Sequence, residues 1–475
     1  MNRRAFLGLA SAGAAAGRIA PLPNGPLNFI FILADDLGWA DTGPYGADLH
    51  ETPNLNRLAA SGMRFTAAYA AAPVCSPTRA SIMTGKHPAR LHMTIWHEAS
   101  QNPPRDRRLI PPVTVGSLPH QEVTIAEALK ARGYSTAHVG KWHLGTAGSY
   151  PETQGFDVNI GGTFWGAPPT YFYPYRGNKR FGGEYRYVPH LEWGEPGEYL
   201  TDRLTAEALK IVDRVQQGPF LLNLWYHTVH TPIEGKPELV ARYRDRIRPG
   251  MHHRNAAYAA MVHSLDENVG RILRRLNETG LADRTVVVFT SDNGGFIGNF
   301  EGQPATSNHP LRSGKGSLYE GGIRVPLLVR WPGVTEAGAV SEEPVTSCDL
   351  FRTMLAMAGA TGAAADSGLD GLSLVPLLRN PRATLARDAL YFHYPHYYDT
   401  TSPVSAVRAR QWKLLEFHED HRVELYDLAR DPGESRNLAA QLPERAAELR
   451  GRLHRWLESV AAQMPEPNPD YPRAR

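Results

Sequence analysis

The sequence predicts an α/β fold: a large mixed, mostly parallel sheet flanked by helices, with a smaller C-terminal α+β unit. Three observations predict it. Short, near-continuous apolar runs recur as far as Arg330, the pattern of strands buried on both faces. Helical spacing fills the stretches between them, and strands alternating with helices indicate a doubly wound sheet. After Pro381 the runs become polar-alternating, as in antiparallel strands with one wet face.

The elements follow in chain order. Residues 1–20 open with Arg3-Arg4 and continue as an Ala/Gly/Leu stretch without an acidic residue, the pattern of a twin-arginine export signal. A periplasmic or secreted destination follows. The stretch is too short to span a bilayer, which takes roughly 20 apolar residues. Buried parallel strands are expected at Phe29–Ala34, Ser135–Val139, Phe220–Trp225, Val286–Thr290 and Val325–Arg330. Helices are expected at Thr124–Arg132, stopped by Gly133, and at Thr201–Gln216 and Ala256–Asn277. Residues 150–199, rich in Gly, Pro, Tyr, Trp and Phe, read as a long irregular insertion of the kind that is often functional. Ser405–Phe417 and Arg422–Asp427 read as strands and Leu442–Val460 as an amphipathic helix. The division is a large domain over 25–380, a small one over 381–464, and a loose Pro-rich tail at 465–475.

The 475 residues carry a formal charge of +3, with no run of like charges and no basic stripe, so nucleic acid is excluded as a partner. A chain of this length buries a large core without disulfides. It has two cysteines, Cys75 and Cys348, which an exported protein could pair.

In open α/β sheets ligands bind beyond the carboxyl ends of the strands. The first apolar run is followed by Asp35-Asp36, the second by Gly140-Lys141-Trp142-His143, the third by His227 and His230, and the fourth by Ser291-Asp292-Asn293-Gly294. Each signal alone has a plain structural explanation: a helix cap, a turn, a buried histidine. Their recurrence at successive strand ends does not. The carboxylates and the amide form a hard, all-oxygen ligand set suited to Ca²⁺ or Mg²⁺ rather than Zn²⁺.

The stretch Ala72-Pro73-Val74-Cys75-Ser76-Pro77-Thr78-Arg79 places a thiol beside a helix start. Ser76 suits the N-cap and Pro77 the first helical position, so Cys75 is expected just before the helix, where free N–H groups favour an anion. Arg79, one turn on, offers a planar fork to sulfate or phosphate. The alternative is a buried thiol beside a solvated arginine.

Cys75-Ser76-Pro77-Thr78-Arg79, with its continuation Ala80-Ser81-Ile82-Met83-Thr84-Gly85, resembles the signature of type I formylglycine-dependent sulfatases of the alkaline phosphatase superfamily. Gly140–Gly145 and Arg312–Pro326 are similar to further motifs of that family, and the likeness runs from Asn28 to Asn437. The resemblance implies an alkaline-phosphatase-like fold and hydrolysis of a sulfate ester at formylglycine made from Cys75 by a formylglycine-generating enzyme. It implies metal ligands at Asp35, Asp36, Asp292 and Asn293 together with the modified Cys75. It implies Lys141 and Lys315 on sulfate oxygens, Arg79 supporting the diol, and His143 orienting or deprotonating it. His230 or Lys315 would be the general acid. His227, Trp96, His97 and His309 are candidate substrate-binding residues. The aromatic residues of the insertion and of Tyr391–Tyr398 suit either sugar rings or packing between domains. A sulfated carbohydrate is the expected substrate. Phosphonate or phosphate ester hydrolysis, found in the same superfamily, is the alternative, and a sugar-binding protein with an unmodified Cys75 is a third reading.

Overall fold

The computed structural model describes residues 25–215, 218–360 and 368–471. The expected export signal at 1–20 lies outside them. The main sheet contains β1 (Asn28–Ala34), β2 (Met63–Tyr69), β3 (Ser135–Gly140), β4 (Val158–Ile160), β5 (Phe220–Trp225), β6 (Thr285–Ser291), β7 (Arg324–Arg330), β8 (Ala339–Ser341) and β9 (Val345–Thr346). Its order is β8-β2-β7-β6-β1-β5-β3-β4, with β9 also on β2. The centre is parallel as expected, with β1 between β5 and β6. Residue alternation along β1 feeds two cores. Phe29, Phe31 and Leu33 enter one face; Ile30, Ile32 and Ala34 enter the other.

The strands depart from expectation at two points. Val325–Arg330 is not parallel: β7 runs antiparallel to both β2 and β6. An apolar run reports burial on two faces but carries no information about direction. β2 was missed, because its Met63-Arg64-Phe65-Thr66 start alternates over too short a stretch to stand out from a loop.

The helices α1 (Cys75–Thr84), α2 (Ile125–Lys130), α3 (Leu200–Arg214), α4 (Ala256–Glu278) and α5 (Pro443–Ser459) flank the sheets. Thr124 caps α2 with a full capping box to Glu127. α1 begins at Cys75, with Val74 at the N-cap, so Cys75 lies in the first turn rather than before it. Ser76 does not cap, because its hydroxyl donates to the His143 carbonyl at 2.6 Å. Cys75 and Cys348 are both free and buried, so they are not paired.

The C-terminal sheet consists of β10 (Leu390–Tyr394), β11 (Val404–Ala409), β12 (Trp412–Phe417) and β13 (Val423–Asp427), all antiparallel. α5 packs Leu449 and Leu453 against it. The expected loose tail is docked where it is described. Glu466–Pro467 pairs with Leu109–Ile110, and Asn468 donates to the carbonyls of Arg105 and Arg107.

A buried ionic joint connects the two sheets. Lys413 on β12 lies 2.9 Å from Glu320 and 2.9 Å from Glu434, and all three side chains are buried. Tyr69 on β2 donates to Glu320 at 2.7 Å. Removing one member of a buried ionic cluster leaves uncompensated charge at a cost of about 3–5 kcal/mol. Lys413→Met is therefore expected to lower unfolding stability by about that amount in a denaturant titration. An unchanged midpoint would show that the joint is not under load.

A second buried cluster follows β1. Asp41 accepts from Gly38 N–H at 2.7 Å and from Tyr258 at 2.6 Å, and Tyr258 also reaches the Asp36 carbonyl at 3.3 Å. His253 sits between Asp41 at 3.2 Å and Asp48 at 2.6 Å, with the His50 ring 4.4 Å away. Burial alone would lower the His253 pKa; the hydrogen bond and charge of Asp41, then those of Asp48, raise it to about 9. His50 is pushed down to about 4, chiefly by burial and then by His253, so it adds no competing charge. The unfolded chain releases the His253 proton near pH 6.5 and the folded chain near 9. The stabilisation is thus complete below pH 6.5 and is lost as pH rises through 9. Its size is on the order of 3 kcal/mol. Stability measured against pH should fall more steeply over that window in the wild type than in His253→Gln, where only the smaller decline from groups such as Asp35 remains.

Candidate active site

The register of the central strands brings the chemistry together. Leu33 pairs with Trp225, Ala34 with Ser291, and Gly140 with Trp225. The segments that leave β1, β3, β5 and β6 therefore emerge on one edge of the sheet. Asp35 N–H donates to Thr228 O and Lys141 N–H to Trp225 O, which locks these exits to one another. The turn after β6 approaches the segment that carries Lys315. A Cβ on Gly294 would lie 1.9 Å from the Gly321 carbonyl, so only glycine permits this contact. Lys315 N–H bonds Gly295 O, and Gly316 N–H bonds Pro73 O, seating Lys315 beside the Cys75 segment.

Three carboxylates and three cations meet at this edge, almost fully buried. Lys141 Nζ lies 2.6 Å from Asp35, and Lys315 Nζ lies 2.8 Å from Asp36. Arg79 grips Asp292 with Nε at 2.9 Å and Nη2 at 2.8 Å, and donates to Lys141 O at 2.8 Å. The other Asp292 oxygen accepts from Asp36 N–H at 3.2 Å. Cys75 Sγ is 3.6 Å from Asp35 and 3.9 Å from Asp36. His230 Nε2 is 3.6 Å from Asp36.

The electrostatics are uneven. Burial raises the Asp35 carboxyl to about 8, because Lys141 and Arg79 only partly offset the desolvation and the neighbouring Asp292. Burial also raises Asp36, but Lys315, then His230 and Lys141, overcome it and hold that carboxyl below the ordinary range. Burial and then Lys141 push His143 down to about 4. Burial and then Lys315 push His230 down to about 3. Burial pushes the Cys75 thiol well up.

A hard dication fits these residues. Asp35 is not fully balanced by the protein's own cations, and Asn293 Oδ1 is buried without a hydrogen-bond partner while its Nδ2 donates to Asp36. Asp35, Asp36, Cys75 and His230 each present one donor atom within 4.8 Å of the others. Asp292 and Asn293 adjoin this group through Asp36.

A cavity of about 270 Å³ opens onto the group. Of the residues expected from the sequence, Asp36, Cys75, Trp96, His143, His230 and Lys315 line it. Three expected substrate contacts do not. His227 is buried behind the wall with Nδ1 unpartnered, His97 packs edge-on against Phe164, and His309 is exposed and stacks on His252 at 3.6 Å. Adjacency in sequence to a site residue does not fix which way a loop side chain points.

Sequence reasoning did not single out Glu98, Arg186, Phe181 or Phe296, and named Tyr398 only as one member of an aromatic cluster; all five stand in the wall. Glu98 lies 3.4 Å from His143 Nε2, and burial is outweighed by that histidine to leave its carboxyl at about 2. Arg186 spends Nε on Glu184 at 2.7 Å and lies over the Phe181 ring at 4.0 Å. Phe181 and Arg186 belong to the insertion and Tyr398 to the second aromatic cluster. Composition had marked both segments without separating wall residues from packing residues.

Comparison with known proteins agrees with this geometry. The Sulfatase family model matches residues 27–360, and the model described as "N-sulphoglucosamine sulphohydrolase, C-terminal" matches 313–463. The chain is 33% identical to the N-acetylgalactosamine-6-sulfatase of Homo sapiens over 93% of its own length and 88% of that protein's. It is 31% identical to the steryl-sulfatase of Mus musculus, covering 95% of this chain and 85% of that one. The solved structure of Ps i-CgsB in complex with k-i-k-neocarrahexaose superposes with a TM-score of 0.75 at 28% identity, covering 94% of each chain. With a fold, a site edge and a family match that coincide, the chain belongs to the sulfatase family and is a sulfuric ester hydrolase.

Proposed function

We propose that this enzyme removes sulfate from a sulfated carbohydrate by covalent catalysis at a formylglycine derived from Cys75. The observation that carries the reading is the placement of Cys75 on the cavity wall, beside Asp35 and Asp36 and in one pocket with Lys315, His143 and His230. Position 75 is a cysteine here, so its Sγ stands in for the two hydroxyls of the hydrated aldehyde.

In the proposed reaction one hydroxyl attacks sulfur as His143 takes up its proton. The bond from sulfur to the substrate alcohol breaks, and the alcohol oxygen receives a proton from Lys315, because His230, held down near 3, is neutral. The remaining hydroxyl then gives its proton to the lysine that has just donated one, the carbon–oxygen bond to sulfate breaks, sulfate leaves, and the aldehyde reforms. Water adds to restore the diol. The second hydroxyl is what releases the covalent sulfate, and a serine would lack it. Lys315 on the cavity wall is a fixed cation for charge that spreads over the sulfate oxygens, with Lys141 and Arg79 adding positive charge behind it. A Ca²⁺ or Mg²⁺ ion held by Asp35, Asp36, Asp292, Asn293 and the residue-75 side chain would supply further fixed positive charge there.

A saccharide substrate is supported by the names of the N-acetylgalactosamine-6-sulfatase and neocarrahexaose relatives. The wall also combines Trp96, Phe181 and Tyr398 with charged edges, the pairing of apolar faces and polar rims that sugars require. Export by the segment 1–20, to the periplasm or beyond, suits a substrate outside the cell. Maturation would require a formylglycine-generating enzyme as partner.

Two outcomes are expected. Mass spectrometry of the peptide Phe65–Arg79 from active enzyme should show the aldehyde in place of the thiol. Cys75→Ala should lose about 10⁴-fold or more in turnover, while Cys75→Ser should stop with sulfate bound to the serine. An unmodified thiol in fully active protein would rule the mechanism out. Sulfate and phosphate esters of nitrophenol, compared on one preparation, should show faster cleavage of the sulfate. The opposite order would move the enzyme to the phosphoester branch of the superfamily.

A further inference from the structure

A second cavity, of about 870 Å³, lies between the two sheets and shares no lining residue with the catalytic one. Six arginines line it: Arg324, Arg387, Arg408, Arg410, Arg445 and Arg452. Four carboxylates share the wall, on Glu342, Glu343, Asp388 and Glu448.

Four of the arginines are occupied. Arg324 lies 3.5 Å from Glu320, Arg387 donates to Asp349 at 2.9 Å, and Arg445 and Arg452 share Glu448 at 2.6 and 3.1 Å. Arg408 and Arg410 form no ion pair within 4.0 Å among the described residues. Arg408 lies over the Tyr69 ring at 5.1 Å, and its Nε and Nη1 are buried with no hydrogen-bond partner. A buried guanidinium N–H without an acceptor costs more than a neutral group would. Arg410 forms the tip of the β11–β12 hairpin at φ 54°, a left-handed turn position where Asn or Gly is favoured. An exposed, unpaired arginine is held there against local preference.

We infer that this cleft is a second binding site for a sulfated saccharide chain, separate from the catalytic cavity, with Arg408 and Arg410 as its sulfate-binding residues. The inference rests on the saccharide reading above. Guanidinium N–H groups that lack an acceptor match sulfate oxygens. The carboxylates of Glu342, Glu343 and Asp388 accept from sugar hydroxyls but would repel the unbroken phosphate row of a nucleic acid. Trp412, also in the wall, offers an aromatic face of the kind a pyranose ring packs on.

The test is isothermal titration of the full-length enzyme with a heparin oligosaccharide, alongside nitrophenyl sulfate turnover. Arg410→Ala and Arg408→Gln should each weaken heparin binding about tenfold, the scale of one charge-assisted contact. Both should leave nitrophenyl sulfate turnover unchanged. If Arg408→Gln does not fold, Arg410→Ala at the exposed hairpin tip decides alone. Equal heparin affinity in wild type and variants would overturn the inference, as would equally tight binding of polyglutamate, a polyanion without sugar or sulfate. Wild type without nitrophenyl sulfate turnover would fail the catalytic reading, a result distinct from the heparin affinities.

Discussion

Everything at the active edge depends on keeping three carboxylates together in a place without water. Asp35, Asp36 and Asp292 are each assigned a cation from a different part of the chain: Lys141 after β3, Lys315 before β7, and Arg79 in α1. The desolvation of each charge is large, and only close opposite charges with saturated hydrogen bonds offset it. The sheet exists in a form that allows this. β1, β5 and β6 end in step, so carboxylates from β1 and β6 reach one volume without long loops. The buried Asn293 oxygen beside them has no hydrogen-bond partner, a donor that the protein's own cations leave unused.

The C-terminal unit takes part in this arrangement through Glu320. That residue lies five positions beyond Lys315 and is fixed by Lys413 of the small sheet and Tyr69 of the large one. Thr400 also donates to the Lys315 carbonyl at 2.7 Å, and Tyr398 stands in the cavity wall. The small unit thus holds one side of the catalytic lysine's segment, while the Gly294 contact holds the other. This is a physical reason for two sheets of different construction to stay joined.

Much of this was legible in the sequence because its signals were periodic or sharply local. Buried runs gave the central strands, and the residues directly after them gave Asp35, Asp36, Lys141, Asp292 and Asn293. The Cys75–Arg79 spacing marked a thiol and a guanidinium one helical turn apart, and the structure brings both to the same edge. What failed to show were properties set by tertiary placement. The direction of β7 depends on its neighbours. Glu98 and Arg186 sit on irregular segments whose side-chain directions follow from packing, not period. His97 and His309 failed for the same reason, since a loop histidine turns toward whichever ring or bond partner its fold supplies.

Residues 461–468 hold the segment from His92 to Val113, which includes Trp96 and Glu98 of the cavity wall, through His92 to the Ala461 carbonyl, Gln463 to the Val113 carbonyl, and the pairing of Glu466–Pro467 with Leu109–Ile110. The wall is therefore encoded in two pieces more than three hundred residues apart. Divergence in one piece has to be accommodated by the other. A change of shape around Trp96 therefore has to be matched by the side chains and backbone of residues 461–468 that hold it.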